Sequence, residues 1–251
     1  MISRKELLEQ GGLNKFNVQQ SEIDYLQHIV LAFLYKNPQN GLIFKGGTAL
    51  QKAYGLGRFS EDLDFDAEGE NVNAFIENAI KGVKNYYDLD YKFTENGLSS
   101  TFNLKIKGPL FDGNDISRET IRLELSKREK LLLEAEKVFI TPSYKDLKTY
   151  ELIVMKKEEI LAEKIRALVY GDRARDVYDL WFLLGKGTKV ERELINKKLG
   201  LYSKGKNLAD FDLAKEIEKE RKKWGTEISL LTKTLPPFDE AKETILAALT
   251  K

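Results

Sequence analysis

The chain contains no cysteine and a single histidine, His28. Without cysteine there is no disulfide, no thiolate nucleophile, no Cys-based zinc site and no iron–sulfur cluster. One histidine also excludes HExxH zinc sites and multi-histidine metal centres. Any metal chemistry must therefore use oxygen ligands, which favours Mg²⁺, Mn²⁺ or Ca²⁺. An excess of one charge sign is missing as well. Lys+Arg number 41 and Asp+Glu 40, for a net charge of +1. A globally basic nucleic-acid binder is not indicated, although a local basic patch is compatible with these numbers. No apolar run approaches the ~20 residues of a membrane span. The N-terminal Met1-Ile2-Ser3-Arg4-Lys5-Glu6 lacks the apolar core of a secretory signal. A cytoplasmic protein with no membrane partner is the expectation. What is present is ample core material: 42% hydrophobic residues in 251, enough for one large domain or two small ones.

Hydrophobic periodicity predicts a helix over 19–36, ended by Asn37-Pro38-Gln39-Asn40-Gly41. Leu42-Ile43-Phe44 reads as a buried strand. Gly46-Gly47 makes a turn, and Thr48 to Tyr54 suits a short helix with Thr48 near its N-cap. A strand over 61–66, a helix near 73–85, and strands near 89–94, 99–107 and 119–127 follow. Later segments read as helices over 156–169, 175–184, 190–198, 208–222 and 238–249. The chain is thus mixed α/β first and helical second, with the change placed near Thr141-Pro142-Ser143. We take 1–150 as an α/β domain with N-terminal helices and 151–251 as a helical domain that completes the site.

The chemistry concentrates in Phe44-Lys45-Gly46-Gly47-Thr48-Ala49-Leu50 and Arg58-Phe59-Ser60-Glu61-Asp62-Leu63-Asp64-Phe65-Asp66. A strand entering a glycine turn that opens a helix offers free backbone N–H groups and a positive dipole end, which suits a phosphate. An ordinary turn gives the same pattern. Asp62 and Asp64 have strand spacing, so both carboxylates face one side while Leu63 and Phe65 face the other. Two adjacent carboxylates repel unless a cation lies between them. A divalent metal bridging to nucleotide phosphates resolves that repulsion; a solvated acidic edge does so as well. An EF-hand loop from Asp62 fails, because its sixth and twelfth positions are Ala67 and Asn73 rather than Gly and Glu. Neither G-x-G-x-x-G nor G-x-x-x-x-G-K-[ST] occurs here. In Ile121-Arg122-Leu123-Glu124-Leu125-Ser126, alternation sets Arg122, Glu124 and Ser126 on one face. Glu124 either completes a metal site or is a surface glutamate.

In the helical half, Lys164 falls between Ile160 and Leu168 on an apolar face. It either snorkels past the core or reaches an anion. Asp176 and Asp179 lie among Val177, Leu180, Trp181, Phe182, Leu183 and Leu184, just after Arg173 and Arg175. Arg–Asp salt bridges explain such acids, as does a phosphate-binding lysine with supporting carboxylates. His28, Tyr25, Phe33, Tyr35, Trp181 and Trp224 read as core or near-core. Lys186, Lys189, Lys197, Lys198, Lys204, Lys206, Arg221, Lys222 and Lys223 form basic clusters of the kind usual on a solvated face.

Taken in order, Phe44 to Leu50, Arg58-Phe59-Ser60, Asp62-Leu63-Asp64-Phe65, Ala162-Glu163-Lys164 and Arg173-x-Arg175-Asp176-x-x-Asp179-Leu180 resemble the AbiEii/AbiGii toxin family, nucleotidyltransferases of the DNA-polymerase-β-like superfamily. The resemblance covers roughly residues 40–185. It implies an α+β fold: a mixed β-sheet flanked by helices, then a helical C-terminal region. It implies that Gly46, Gly47, Thr48, Arg58 and Ser60 bind the nucleotide, with Lys164 and Asp176. Asp62 and Asp64 would hold Mg²⁺ or Mn²⁺, with Glu124 as third carboxylate. Asp62, Asp64, Lys164 and Asp179 would be catalytic. The implied reaction moves an NMP from an NTP to an acceptor hydroxyl on RNA, at the tRNA acceptor end, within a toxin–antitoxin system with a cognate antitoxin. The alternatives are a non-catalytic NTP-binding regulator and a nucleotidyltransferase acting on protein hydroxyls.

Overall fold

A computed structural model describes residues 1–14, 16–36, 41–69, 71–203 and 205–250. The helix-ending stretch read at residues 37–40, and Lys204, lie outside them. The chain divides into two compact units. Met1–Gly55 with Phe59–Met155 forms the first, and Leu56–Arg58 with Lys156–Lys251 forms the second.

The first unit begins with helices α1 (Arg4–Asn14) and α2 (Val18–Leu34). Asn17 starts α2 through a capping box with Gln20: each side chain accepts the other's backbone N–H. Next come β1 (Leu42–Lys45), α3 (Gly46–Tyr54), β2 (Leu63–Ala67) and α4 (Val72–Lys84). Strands β3 (Leu89–Asn96), β4 (Ser99–Ile106), β5 (Glu119–Ser126), β6 (Glu136–Ile140) and β7 (Tyr150–Val154) complete it. Thr141-Pro142-Ser143 lies in the connection from β6 to β7. The sheet order is β3-β4-β5-β2-β1-β7-β6. β2 runs parallel to β5 and β1 parallel to β7, and the other pairs are antiparallel.

The sheet has two chemically distinct faces because its strands alternate. Leu63, Phe65, Leu123, Leu125, Phe102 and Leu104 are buried on one, on the side covered by α2 and α4. Each such side chain contributes about 1.5–3 kcal/mol by leaving water. Asp64, Glu124, Ser126, Thr101 and Asn103 stand on the other face, half-buried.

The second unit holds α5 (Lys157–Tyr170), α6 (Ala174–Gly185), α7 (Arg192–Gly200), α8 (Leu213–Lys219), α9 (Arg221–Glu227) and α10 (Phe238–Leu249). α6 packs on α5, α9 and α10. The single helix expected over 208–222 is broken. Asn207 caps a 3₁₀ turn over Leu208–Asp210, and Asp212 caps α8 through the Lys215 N–H. Short polar side chains that compete for backbone N–H groups start helices rather than continue them. Among the described residues, no helix is long and apolar enough to cross a membrane.

Candidate active site

Lys45 ends β1 and is the N-cap of α3, yet its side chain makes no capping hydrogen bond. The ammonium instead meets Asp66 Oδ1 at 2.7 Å. Gly46 holds φ +75°, a conformation that disfavours any residue with a Cβ. A Cβ placed there would lie 2.5 Å from Asp64 Oδ2. Glycine is therefore required twice over: for the turn, and for the carboxylate resting against it. Thr48, expected near the N-cap, lies buried in the first turn, and its hydroxyl donates to the Asp62 carbonyl. It ties α3 to the segment entering β2 instead of capping the helix.

β2 begins at Leu63, so Asp62 sits one residue ahead of the strand expected to contain it. The parallel register sets Asp64 beside Glu124, bringing two of the expected metal carboxylates side by side on the polar face. Glu124 is paired with Arg122, two residues away on the same strand. Among the described residues, no group of three or more His, Asp or Glu side chains is gathered to hold a metal. A pair of hard oxygen donors still fits Mg²⁺, which commonly takes one or two carboxylates and fills its remaining positions with water and substrate phosphate. Asp66 was passed over in the sequence. It continues the alternation of Asp62 and Asp64, is fully buried, and pairs with Lys45. The third acid in the i, i+2 series was the available signal.

The segment Phe59–Asp62 has no secondary structure of its own, and side chains from α2 and α3 hold it. Gln51 accepts the Ser60 N–H at 2.8 Å. Gln27, fully buried, donates to the carbonyls of Ser60 at 2.9 Å and Glu61 at 2.7 Å. Gln51 in turn donates to Asp24 Oδ1 at 2.9 Å, and Tyr144 donates to Asp24 Oδ2 at 2.8 Å. Buried Lys52 completes this cluster through an ion pair with Asp24. Burial opposes charge on Asp24, but Lys52 and the hydrogen bonds from Lys52 and Tyr144 hold its pKa below the usual carboxylate value. His28 is buried beside it, with Nδ1 2.7 Å from the Tyr150 hydroxyl. Burial and the neighbouring Lys52 push its pKa down to about 3, so it is neutral. None of these glutamine contacts was legible in the sequence, where Gln27 and Gln51 are ordinary helix residues.

In the second unit the expected residues form one charge network. Arg58 grips Asp179 with two parallel bonds of 2.7 Å, Nε to Oδ1 and Nη2 to Oδ2. Lys164 Nζ lies 2.7 Å from Asp176 Oδ1 and 2.7 Å from Asp179 Oδ2. The partner of Asp179 is thus not the adjacent Arg173 or Arg175 but an arginine 121 residues away. Arg58 is 1% exposed, so this guanidinium, expected to meet a nucleotide, is spent on a carboxylate. Burial opposes the charge on Asp179, but Arg58 and Lys164 hold its pKa below the usual range. Burial likewise opposes the Lys164 charge, and Asp176 with Asp179 raises its pKa above the usual lysine value. A second clamp lies alongside: fully buried Lys198 of α7 reaches Glu159 at 2.8 Å and Glu163 at 3.0 Å, both on α5.

A strand–glycine–helix turn against a carboxylate-bearing sheet face, followed by helices with an internal Lys–Asp network, is the architecture of a nucleotidyltransferase. Residues 32–247 match the family model described as the nucleotidyl transferase AbiEii toxin of type IV toxin–antitoxin systems. The chain belongs to that family and is a nucleotidyltransferase. Solved structures share the fold. MenT4, a nucleotidyltransferase toxin from Mycobacterium tuberculosis H37Rv, superposes with a TM-score of 0.70 at 19% identity, over 100% of this chain and 90% of that one. JHP933 from Helicobacter pylori gives 0.62 at 22% identity, over 94% and 92%. A search of curated protein sequences returns no match.

Proposed function

We propose that the protein transfers a nucleoside monophosphate from an NTP to an acceptor hydroxyl on RNA, at the acceptor end of tRNA, as the toxin partner of a cognate antitoxin. The observation that carries this reading is the junction of β1 and α3. There Asp64 rests against Gly46, beside Glu124 in register, at the start of a helix whose N-cap, Lys45, makes no side-chain capping hydrogen bond. The first-turn amides at Gly46, Gly47 and Thr48 suit the triphosphate. Asp62 and Asp64 are the residues to hold Mg²⁺ or Mn²⁺, with Glu124 completing the acidic set. A cation held there would neutralise triphosphate charge and lower the pKa of an acceptor hydroxyl.

The acceptor oxygen attacks the α-phosphorus, the bond to the β-phosphate oxygen breaks, and pyrophosphate leaves. The hydroxyl proton passes to a carboxylate of the acidic set. Lys164 stabilises charge on the departing phosphates. Asp176 and Asp179 keep it protonated and oriented, and Arg58 fixes Asp179. Ser60 acts through the position that Gln27 and Gln51 give its backbone.

The test is incubation with labelled NTPs, Mg²⁺ and total RNA. Label is expected in RNA of tRNA size with wild type and not with Asp64→Ala. Equal incorporation by the two proteins refutes the proposal, and label in protein bands instead of RNA refutes the acceptor.

A further inference from the structure

The arginines of the second unit divide into two groups. Arg58 grips Asp179, Arg166 lies over the Tyr202 ring, Arg192 donates to the Leu249 carbonyl, and Arg221 pairs with Glu218 and Asp239. Arg173 and Arg175 have no ion-pair, hydrogen-bond or ring partner for their guanidinium groups among the described residues. The acids nearest them along the chain are already taken. Asp172 pairs with Lys223, and Asp176 pairs with Lys164 at 2.7 Å. Arg173 and Arg175 line a cavity of about 400 Å³, together with Glu227, Ile228, Leu230 and Leu231. Glu227 is the single acid of that lining, and its charge also acts on Lys223. Leu230 is 73% exposed.

A pair of uncommitted planar guanidiniums beside an exposed aliphatic wall has a specific complement. The forked donors match phosphate oxygens, and exposed Leu230 with half-buried Leu231 offers a surface against which a base or ribose loses water. The volume is in the range of small-ligand pockets, which for a polynucleotide corresponds to a nucleotide or so held by its backbone and one flat face. Protein acceptors lack that regular pairing of anion and ring. The chain's near-neutral total charge, which argues against a broad basic face, is compatible with recognition concentrated at two arginines.

We infer that Arg173, Arg175, Leu230 and Leu231 form a docking site for single-stranded RNA, the phosphodiester on the guanidiniums and a base on the leucines. The inference rests on the RNA-directed reading above and deepens it by naming where the acceptor is held. Arg173 and Arg175 are then acceptor-binding residues, separate from the paired Lys164 and Asp176.

The test uses the full chain and a fluorescein-labelled single-stranded RNA of mixed sequence, followed by anisotropy across a salt series. The Arg173→Ala/Arg175→Ala variant is expected to bind roughly tenfold or more weakly than wild type, with a salt slope reduced by about 1–2. Arg173→Lys/Arg175→Lys keeps the charge but not the fork and is expected to fall between them. Leu230→Ala is expected to weaken binding about threefold or more with an unchanged salt slope. Asp64→Ala is expected to bind RNA as wild type does. Loss of transfer in every protein, with the arginine dependence of binding intact, removes the catalytic reading and leaves the docking site standing. Wild-type affinity and slope in the double-alanine variant overturn the docking site, as does failure of wild type to bind the RNA at low salt. Circular dichroism of the variants, expected to match wild type, separates loss of the site from loss of the fold.

Discussion

The two units use the same acidic residue types in opposite ways. On the sheet of the first unit, Asp64 and Glu124 stand half-buried on a polar face, with Asp64 against a glycine backbone. In the second unit, Asp176 and Asp179 are buried and neutralised by Lys164 and Arg58. A carboxylate on an open face is free to exchange a surface neighbour for a ligand at little structural cost. A carboxylate inside a core holds the fold as much as any chemistry, because removing either partner strands a charge away from water. The contrast predicts that removing Asp64 or Glu124 separates activity from stability and that removing Asp176 or Asp179 alone does not.

The largest effect expected is from Asp64→Ala: loss of roughly 10³-fold in transfer rate, the equivalent of several kcal/mol of transition-state stabilisation, with an unchanged melting temperature. A comparable fall in melting temperature would erase the distinction between the units. Asp179→Ala is expected to cost about 3–5 kcal/mol of stability in urea unfolding, since Arg58 stays buried without its carboxylate. Replacing both, as Arg58→Met/Asp179→Leu, is expected to recover most of that loss while leaving transfer impaired.

The same pair gives a pH signature. Asp179 is held below the usual carboxylate range, against burial, by Arg58 and Lys164. Its contribution is therefore complete above the unfolded carboxylate value of about 4 and is lost as pH falls through the lower folded value. Thermal unfolding from neutral pH down through that region should show wild type losing stability faster than Asp179→Asn. Parallel curves would mean that the pair is silent. Asp24 in the first unit works in the same direction, so the comparison must be made between variants and not from the wild-type curve alone.

Gln51→Leu leaves the Ser60 N–H without its acceptor and is expected to cost about 1–3 kcal/mol. Through the Phe59–Asp62 segment it should also lower transfer. The smallest effect is that of Glu124→Gln: its exposed pair with Arg122 is worth at most about 1 kcal/mol, while transfer should fall roughly tenfold. Unchanged transfer would return Glu124 to the ordinary surface.

Much of this contrast was legible in the residue pattern and some of it was not. Strand alternation placed Leu63 and Phe65 opposite Asp64, and helical spacing placed Lys164 on an apolar face where it either snorkels or reaches an anion, because both follow from local geometry. The pairing of Asp179 with Arg58 was not legible, because a salt bridge over 121 residues leaves no local trace and the nearer Arg175 is equally good chemistry. Thr48 was misplaced as a cap because its sequence position suits one; the Asp62 carbonyl, supplied by a segment far enough away to escape pattern reading, claims its hydroxyl instead. β6 and β7 escaped the reading because each opens on polar residues, Glu136-Lys137 and Tyr150-Glu151, and neither alternates strictly.

Residues 56–58 belong to the second unit although both of their chain neighbours belong to the first. Gly57 accepts a hydrogen bond from Thr232, and Arg58 supplies the counter-charge of Asp179. A fragment starting at Lys156 would carry Asp179 without its guanidinium, and one ending at Met155 would carry that guanidinium with nothing to neutralise it. Exchange of halves between diverged relatives by a single recombination event near residue 155 is therefore penalised unless this arginine–aspartate pair has stayed matched, which binds the inheritance of the two units together.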